Sequence, residues 1–494
     1  MRACIVVLFF AVGLWAGWRH KPLEKPFLAD TQIYYYIAEQ VADGVPPHVS
    51  LIDHKHQLSS LLSGWSIRAG RVVGISDPVA VRVASLTAGA VTVAACAWLG
   101  AELTGGLLGG IIAGLAMLVF TEFFYEAAMG VRPHSFMACF MMLGLTAFVR
   151  RRHFTAGVWA TSGFLCWQPA ALVGAAFAVV GAVPDDRART VPRLAAGAIT
   201  ALLVYELYFF AHGALGTQIR QSYLMASELG GYKYDAFMES VAFFSQLGLG
   251  GAFKTAWLIP AVLLLFTGTA MAGVLLLPVR AWRLCREDPG LAAFILVCIT
   301  NVGFTFVTHD AHPDMFFVDP LMAVVIALVT VRVPAALFRG RQPALRAAFG
   351  AVVAVWLVWL QGGRAHIISS GPVHLTDQID LAKQLDVLSD GYGSIWAVGC
   401  PHLLGLAHMK NWHPLGLLLD AKVRDYVTRD GPKGELYPGS DGRLPGAIIT
   451  SRVSVFAWFP ELRRYYRRIP NASFDRDRTR IWVLNRTSVT ASLR

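Results

Sequence analysis

Charge is what this sequence has least of. Only 15% of its 494 residues are Asp, Glu, Lys or Arg, whereas 55% are hydrophobic. So small a charged fraction cannot cover the surface of a soluble globule of this length, which places the chain in a lipid bilayer. The 7 cysteines show no CxxC or CxH spacing, and most lie within apolar runs, where cysteine behaves as a small hydrophobic residue. A disulfide framework is therefore not expected.

Acidic residues are fewer than basic ones, and the formal net charge is +11. A basic balance can indicate a nucleic-acid partner, but here the arginines lie in short loops between apolar segments. Membrane insertion explains them more simply, because loops rich in Lys and Arg stay in the cytoplasm. We therefore expect membrane lipids, and no nucleic acid, around this chain.

Apolar runs of about 20 residues, the length that crosses a bilayer, predict the membrane spans. They lie near 2–18, 79–100, 105–124, 133–149, 192–212, 256–279, 290–308, 316–335 and 345–361. The first is expected to remain as an uncleaved span, because no small-residue cleavage site follows it.

One apolar stretch, 155–183, is too long for a single untilted span. Both of its flanks, RRRH at 150–153 and DDRARTVPR at 185–193, have the basic character of cytoplasmic loops. We therefore predict a hairpin of two short helices that turns near Pro169. About eleven helices result, with the N-terminus in the cytoplasm and the C-terminus outside.

From residue 363 onward the apolar runs shorten and charges become more frequent. Short β-rich pieces, SIWAVG at 394–399, AIITS at 447–451 and RIWVLN at 480–485, alternate with helical pieces at 376–388 and 458–466. The predicted fold class is an α-helical polytopic membrane protein with a small extracytoplasmic α/β domain. Residues 1–362 would form the membrane module and 363–494 the α/β domain.

Polar groups collect in residues 19–78, which we call the first loop and expect outside the membrane. Apolar residues recur at helical spacing within 31–44 and 57–73, which predicts two amphipathic helices lying on the membrane surface. The glycine and prolines of DGVPPH between them break the helix, so the chain can turn back. This turn would bring the DHKH cluster, Asp53, His54, Lys55 and His56, towards Asp30 at the start of the first helix. By itself Asp30 could simply cap that helix, a use of Asp that contributes about 1 kcal/mol.

The first loop also resembles that of a known family. An acid after the first span, the pattern DxxxYYxIA, then GxPP and a DHK cluster are similar to the first external loop of the GT-C integral-membrane glycosyltransferases. These include the lipid A aminoarabinose transferases and the dolichyl-phosphate-mannose protein mannosyltransferases. Further similarity lies in YEAAMGVRPHSF at 125–136, in HPDMFFVDPLMAVV at 312–325 and in the α/β ending. The chain departs from the family where DHKHQL replaces the common DHKPPL, and where Glu126 stands in place of an Asp of some relatives.

The resemblance implies an inverting transferase that moves a sugar from a polyprenyl-phosphate donor to a hydroxyl of a lipid, glycan or protein acceptor. It would work at the outer face of a bacterial inner membrane, since the Ala-, Gly- and Arg-rich composition looks bacterial. The attacking oxygen must lose a proton, and Asp30 is the candidate general base. The departing lipid phosphate needs fixed cations, for which the candidates are Lys55, His54, His56 and Arg132. Two of these have ordinary alternatives, since Arg132 could be an interface arginine and Lys55 could lie in a solvated loop.

Further substrate or metal contacts are open. Asp53 and Glu126 offer carboxylates near the candidate base, and the turn THDAHPD at 308–314 gathers several candidate ligands. These are His309, Asp310, His312 and Asp314, which could bind a divalent metal ion. The histidines could instead contact phosphate, and Pro313 with Asp314 could simply begin the next helix. No cofactor is assigned on this basis.

A transporter or lipid flippase is the strongest rival, because many helices with a few buried ionisable groups also describe one. In this sequence the predicted spans hold few charges at mid-depth, Glu206 being the main exception, while polar groups concentrate in the predicted outer loops. A transporter should show the reverse, and the internal repeats of many transporters are not evident. An O-antigen ligase or polymerase is a third reading, but it would not be expected to carry DxxxYYxIA or an α/β tail.

Overall fold

The fold was analysed in a computed structural model. It describes residues 2–28, 30–225, 278–308, 316–337, 343–363, 374–416, 443–451, 455–471 and 479–485, with the single residues Val427, Pro438 and Phe474. Long apolar helices dominate up to residue 363. They are α1 (Arg2–Trp18), α2 (Asp30–Ala42), α3 (Leu58–Val72), α4 (Asp77–Thr104), α5 (Leu107–Leu118), α6 (Thr121–Met129), α7 (Pro133–Val149), α8 (His153–Cys166), α9 (Ala171–Gly181), α10 (Arg187–Ala211), α11 (Leu215–Ile219), α12 (Pro278–Glu287), α13 (Pro289–Thr308), α14 (Val318–Leu337) and α15 (Pro343–Gly363).

Two helices in the described residues, α4 and α10, are long and apolar enough to cross a membrane individually. The pair α5 and α6, bent by 63° at a short break, could form a third span. Several shorter apolar helices, among them α1, α7 and part of α13, coincide with predicted spans. The count of about eleven spans therefore stays a prediction, and the span predicted near 256–279 lies outside the described residues.

The apolar stretch 155–183 has the two short helices that its length and flanks predicted. Helix α8 ends at Cys166, a 3-10 turn covers Gln168–Ala170, and α9 follows directly. Pro169 lies within this turn, where its fixed φ fits the first turn of the following helix.

The first loop contains the two predicted amphipathic helices, α2 and α3, which pack closely on each other. A side chain at Gly64 of α3 would meet the Val41 side chain and the Ala38 carbonyl of α2. Ten of the 13 residues of α2 are buried, including all three tyrosines and Glu39. Helix α2 is therefore covered on nearly all sides rather than lying half-exposed on a surface, as the amphipathic pattern alone would predict.

The C-terminal part, residues 374–485 as far as described, is α/β. It contains α16 (Leu375–Tyr392), β1 (Ile395–Val398), α17 (Pro401–Leu406), β2 (Ala447–Ser451), β3 (Tyr466–Ile469) and β4 (Thr479–Leu484). The strands form one sheet in the order β1, β2, β4, β3, in which only β1 and β2 run parallel. Strand β3 was not predicted, because the charged sequence YRRI gives no apolar alternation. The piece at 458–466 was predicted to be helical, and it contains a 3-10 helix over Pro460–Tyr465.

An apolar core continues from the first loop into the C-terminal part. One cluster of buried residues joins Phe27, Tyr35 and Ile37 of the first loop to Leu381 of α16 and Leu403 of α17. The membrane helices share a separate large cluster around α4, α5, α7 and α14. The C-terminal part is therefore packed onto the first loop through a continuous hydrophobic contact.

Helices α8 and α10 approach most closely at two glycines. A Cβ atom added to Gly157 would run into the Leu194 carbonyl, and one added to Gly197 would run into the Phe154 carbonyl. Small residues permit such close backbone contact between membrane helices. We predict that Gly197→Ala lowers the free energy of unfolding by about 1–3 kcal/mol, because this contact cannot widen locally.

The measurement is the midpoint of thermal unfolding of the purified protein in detergent. Gly174→Ala is the matched control, since nothing lies within 4 Å of a Cβ added there in α9. It should leave stability unchanged or raise it by up to about 1 kcal/mol through helix propensity. Equal midpoints for both variants would show that the crossing is not tight.

Candidate active site

Asp30 is the first residue of α2 and is half-buried. It lies in one charged group with Lys55, Asp53 and Tyr34. Burial disfavours the ammonium of Lys55, but Tyr34, Asp30 and Asp53 outweigh this effect and raise the pKa of Lys55 above its ordinary value. The Lys55 ammonium lies 5.8 Å from the centre of the Tyr34 ring. Lys55 is therefore a cation whose charge the candidate base helps to stabilise.

Asp53 shapes the turn that presents Lys55. Its buried carboxylate accepts hydrogen bonds from the Gln57 side chain at 2.6 Å and from the Lys55 backbone at 3.2 Å. The His54 imidazole lies 3.7 Å from the same carboxylate. Asp53 thus holds the DHK turn together from within and supports Lys55. Its predicted contact with substrate or metal stays a prediction.

Tyr205 of α10 and Gln221, which follows α11, fix this turn from outside. The Gln221 side chain bonds the His48 ring at 3.2 Å, the His48 carbonyl at 3.0 Å and the Asp53 backbone N–H at 3.2 Å. The Tyr205 hydroxyl accepts a hydrogen bond from the Gln57 backbone at 2.9 Å. No local sequence signal identified Gln221 or Tyr205, because their partners lie about 150 residues or more away along the chain.

The two histidines of the DHKH cluster have different environments. His54 is half-buried, and its carbonyl accepts a hydrogen bond from Gln168 of the turn between α8 and α9 at 2.8 Å. His56 is buried between Phe164, Tyr205 and Tyr223, whose ring centres lie 4.6, 6.0 and 4.8 Å away.

Burial, followed by the charge of His48, lowers the pKa of His56 to about 3. A neutral, enclosed imidazole supplies no cation to a phosphate. A contact between His56 and the donor phosphate stays a prediction, and it would have to be a hydrogen bond from a neutral ring rather than an ion pair.

The second predicted outer loop comes close to the first. Arg132, which precedes α7, pairs with Glu126 at 3.1 Å, and both side chains are largely covered. The charges of Lys55 and Arg132 both act on the buried ring of His134. The structure thus brings Arg132 to the neighbourhood of Lys55, but its charge is already matched by Glu126.

The predicted ligands of the THDAHPD turn, His309, Asp310, His312 and Asp314, lie outside the described residues. Another group of metal-ligating atoms occurs within them: Glu39, Asp77 and His408 place one atom each within 4.8 Å of one another. No sequence pattern indicated this group, because its members come from α2, α4 and the C-terminal part.

These three residues do not fit a metal site, because a cation is already present. The Arg71 guanidinium bonds both oxygens of Asp77 at 2.6 to 3.1 Å and lies 3.6 Å from Glu39. Arg71 also pairs with Asp43. A metal ion would have to displace this guanidinium, so we assign no metal to the group.

Glu39 in this group has an unusual proton affinity. Burial, together with the nearby Asp43, raises the pKa of Glu39 from 4.5 to about 8. Because the folded protein holds this proton more tightly than the unfolded chain, Glu39 favours folding most below pH 4.5, and this contribution is lost as the pH rises through about 8.

We predict that Glu39→Gln, whose side chain cannot titrate, removes part of the loss of stability that the wild type shows between these two pH values. Unfolding midpoints measured across this range test it. Asp390→Asn, at an exposed position of α16, should leave the pH profile of the wild type unchanged. Parallel profiles for wild type and Glu39→Gln would contradict the raised pKa.

Comparison with known proteins gives matches among solved structures. No family model matches the chain, and no curated protein matches it. ArnT from Cupriavidus metallidurans, in a crystal structure bound to undecaprenyl phosphate, is similar with a TM-score of 0.58 and 14% identity over 97% of both chains. Its apo structure gives the same TM-score over 98% of both chains.

An oligosaccharyltransferase from Archaeoglobus fulgidus, solved in complex with Zn and sulfate, is similar with a TM-score of 0.50 and 14% identity. This match covers 94% of the present chain and 71% of the archaeal one. At identities this low, the structural similarity shows a common fold. The motifs of the first loop had indicated the same fold. The chain has the same fold as the ArnT and oligosaccharyltransferase structures.

Proposed function

We propose that this protein is an inverting glycosyltransferase that moves a sugar from a polyprenyl-phosphate donor to an acceptor hydroxyl at the outer face of a bacterial inner membrane. The observation that carries the proposal is that the Lys55 ammonium lies 5.8 Å from the centre of the Tyr34 ring of α2, the helix that begins with the half-buried carboxylate Asp30, and that this carboxylate favours the charge of Lys55. The similar ArnT structure contains undecaprenyl phosphate, a lipid phosphate of the proposed class.

The topology proposed with this function has the N-terminus in the cytoplasm. Residues 1–362 form the membrane module, and 363–494 form a domain in the periplasm. The first loop then lies on the outer side of the membrane, where a lipid-linked donor presents its headgroup. A lipid, glycan or protein hydroxyl could approach the same site from solvent.

In the proposed reaction the acceptor oxygen attacks the anomeric carbon of the donor sugar. The Asp30 carboxylate accepts the hydroxyl proton as the new carbon–oxygen bond forms. The bond between the anomeric carbon and the phosphate oxygen breaks on the opposite face, which inverts the configuration. The polyprenyl phosphate leaves with an additional negative charge, and the proton on Asp30 passes to solvent.

Lys55 would stabilise the leaving phosphate. Its charge is held by a turn that Asp53 and Gln57 organise, so the cation needs little reorganisation when the negative charge develops. His54 and Arg132 remain secondary candidates for phosphate contact. Arg132 is already paired with Glu126, so it would have to share its guanidinium between that carboxylate and the phosphate.

The general-base role is tested with Asp30→Asn, which keeps the shape of the side chain and removes its basicity. We predict a loss of turnover of about 100-fold or more, as is typical when a general base is removed. Purified protein in proteoliposomes is incubated with a panel of labelled undecaprenyl-phosphate sugars and with membrane extract from a deletion strain as the source of acceptor. Release of undecaprenyl phosphate and label transfer are both measured.

Asp390→Asn is the matched control and should be as active as the wild type. Near-normal turnover of Asp30→Asn would mean that Asp30 only caps α2. Movement of labelled lipid across the bilayer by the wild type, without sugar transfer, would instead support the flippase alternative.

The phosphate-binding role is tested with Lys55→Gln. A lost hydrogen bond to a charged group costs about 1.5–3 kcal/mol, so the Kd for undecaprenyl phosphate should rise by about 10-fold or more. Lys383→Gln, on the exposed side of α16, should bind like the wild type. If Lys55→Gln binds undecaprenyl phosphate as tightly as the wild type, the phosphate contact is made elsewhere.

A further inference from the structure

The segment that leads into Asp30 has no regular secondary structure from Lys25 to Leu28. Such a segment cannot by itself fix the direction of the residue that follows. Its backbone groups are instead bonded by distant parts of the chain. The Glu24 carbonyl accepts a hydrogen bond from the Leu375 N–H at 3.1 Å, and the Lys25 carbonyl accepts one from the Arg82 guanidinium.

The most complete of these contacts is made by Gln378 of α16. Its side-chain oxygen accepts a hydrogen bond from the Phe27 N–H at 2.8 Å, and its side-chain nitrogen donates one to the Phe27 carbonyl at 3.0 Å. A primary amide offers one acceptor and two donors, so it can pair with both backbone groups of one residue. Gln378 and Phe27 are 1% and 0% exposed, so water cannot replace these bonds.

The Phe27 ring is held as firmly as its backbone. It stacks on Tyr35 of α2 with ring centres 4.2 Å apart, and the Arg82 guanidinium of α4 lies 4.7 Å from its centre. The side chain of Gln32, also in α2, donates to the Phe27 carbonyl at 3.0 Å. Phe27 therefore joins α2, α4 and α16 at a point three residues before Asp30.

The C-terminal part also holds the other side of the site. The Ile52 N–H, next to Asp53 of the DHK turn, donates to the Pro414 carbonyl at 2.9 Å. The Asn411 N–H donates to the Tyr36 hydroxyl in the middle of α2 at 2.8 Å. Both the segment before Asp30 and the turn that carries Lys55 are thus attached to residues 374–416.

We propose that Gln378 is a positioning residue, through which the C-terminal part sets the direction of the Asp30 carboxylate relative to Lys55. This inference rests on the proposed function, and it assigns the C-terminal part a role in the reaction itself. Gln378 does not contact the reacting atoms. It acts through Phe27, so its loss should slow the chemical step and leave binding of the lipid phosphate intact.

The decisive variant is Gln378→Glu, which is nearly the same size. A carboxylate can still accept from the Phe27 N–H, but its second oxygen cannot donate to the Phe27 carbonyl and repels it. We expect kcat to fall by about 10- to 100-fold, because small displacements of a catalytic group have effects of this size. The KM for the undecaprenyl-phosphate sugar and the Kd for undecaprenyl phosphate should stay close to wild type, whereas the thermal midpoint should fall, because the bond that is lost is fully buried.

Gln384→Glu is the matched control, because Gln384 is a half-buried glutamine of the same helix. It should have the kcat of the wild type. Gln378→Asn keeps both chemical groups but is shorter by one methylene, so it should also lose kcat. It replaces the glutamate variant in the test should that protein fail to fold.

A merely structural role for Gln378 would predict a lower thermal midpoint with an unchanged kcat per folded molecule, and that result overturns the proposal. Wild-type kcat in a folded Gln378→Asn or Gln378→Glu protein overturns it as well. If Asp30→Asn is inactive while the Gln378 variants are fully active, the proposed function stands and the positioning role fails. If the wild type releases no undecaprenyl phosphate from any donor, both fail together.

Discussion

The structure depends on keeping one cation charged at the edge of an apolar environment. Burial disfavours the ammonium of Lys55, and Tyr34, Asp30 and Asp53 compensate for this effect. The Asp53 side chain is itself held by hydrogen bonds from the Gln57 side chain and the Lys55 backbone. The short sequence DHKHQ therefore contains a cation, an anion and an amide that stabilise one another, and Asp30 joins this group from a separate helix.

The turn that carries Lys55 is held in place by residues from other parts of the chain. The turn between α2 and α3 lacks helical hydrogen bonds, yet buried backbone groups that remain unbonded are costly near a membrane. Tyr205 and Gln221 from the helices after residue 187, Gln168 from the hairpin turn and Pro414 from the C-terminal part supply the partners. Because the partners come from four segments, the turn can hold its charges in a fixed geometry, which is what electrostatic stabilisation of a leaving group requires.

The limits of the sequence follow from the range of each interaction. Helix periodicity is local, so the sequence predicted α2, α3, the hairpin at Pro169 and the strands β1, β2 and β4 close to their observed bounds. The pairing of Gln378 with Phe27 spans 351 positions, and nothing near either residue signals it. Nor does the local sequence indicate on which side of a turn a side chain lies. Lys55 and His56 are neighbours in sequence, but only Lys55 is among charges, whereas His56 is among aromatic rings.

A charged group lies near each end of helix α2. The two groups differ in how closely their cations are paired with carboxylates. Towards the C-terminal end of α2, the Arg71 guanidinium makes direct ion pairs with Asp77 and Asp43. The His408 ring lies 3.2 Å from the Glu39 carboxylate. Cations bound this closely to carboxylates have little attraction left for an incoming anion. At the N-terminal end of α2, the Lys55 ammonium lies 5.8 Å from the centre of the Tyr34 ring. Asp30 and Asp53 act on its charge at longer range. An incoming phosphate could therefore gain a contact with Lys55 without breaking an ion pair of the kind that holds Arg71, which is why the proposed reaction is placed at the Asp30 end of the helix.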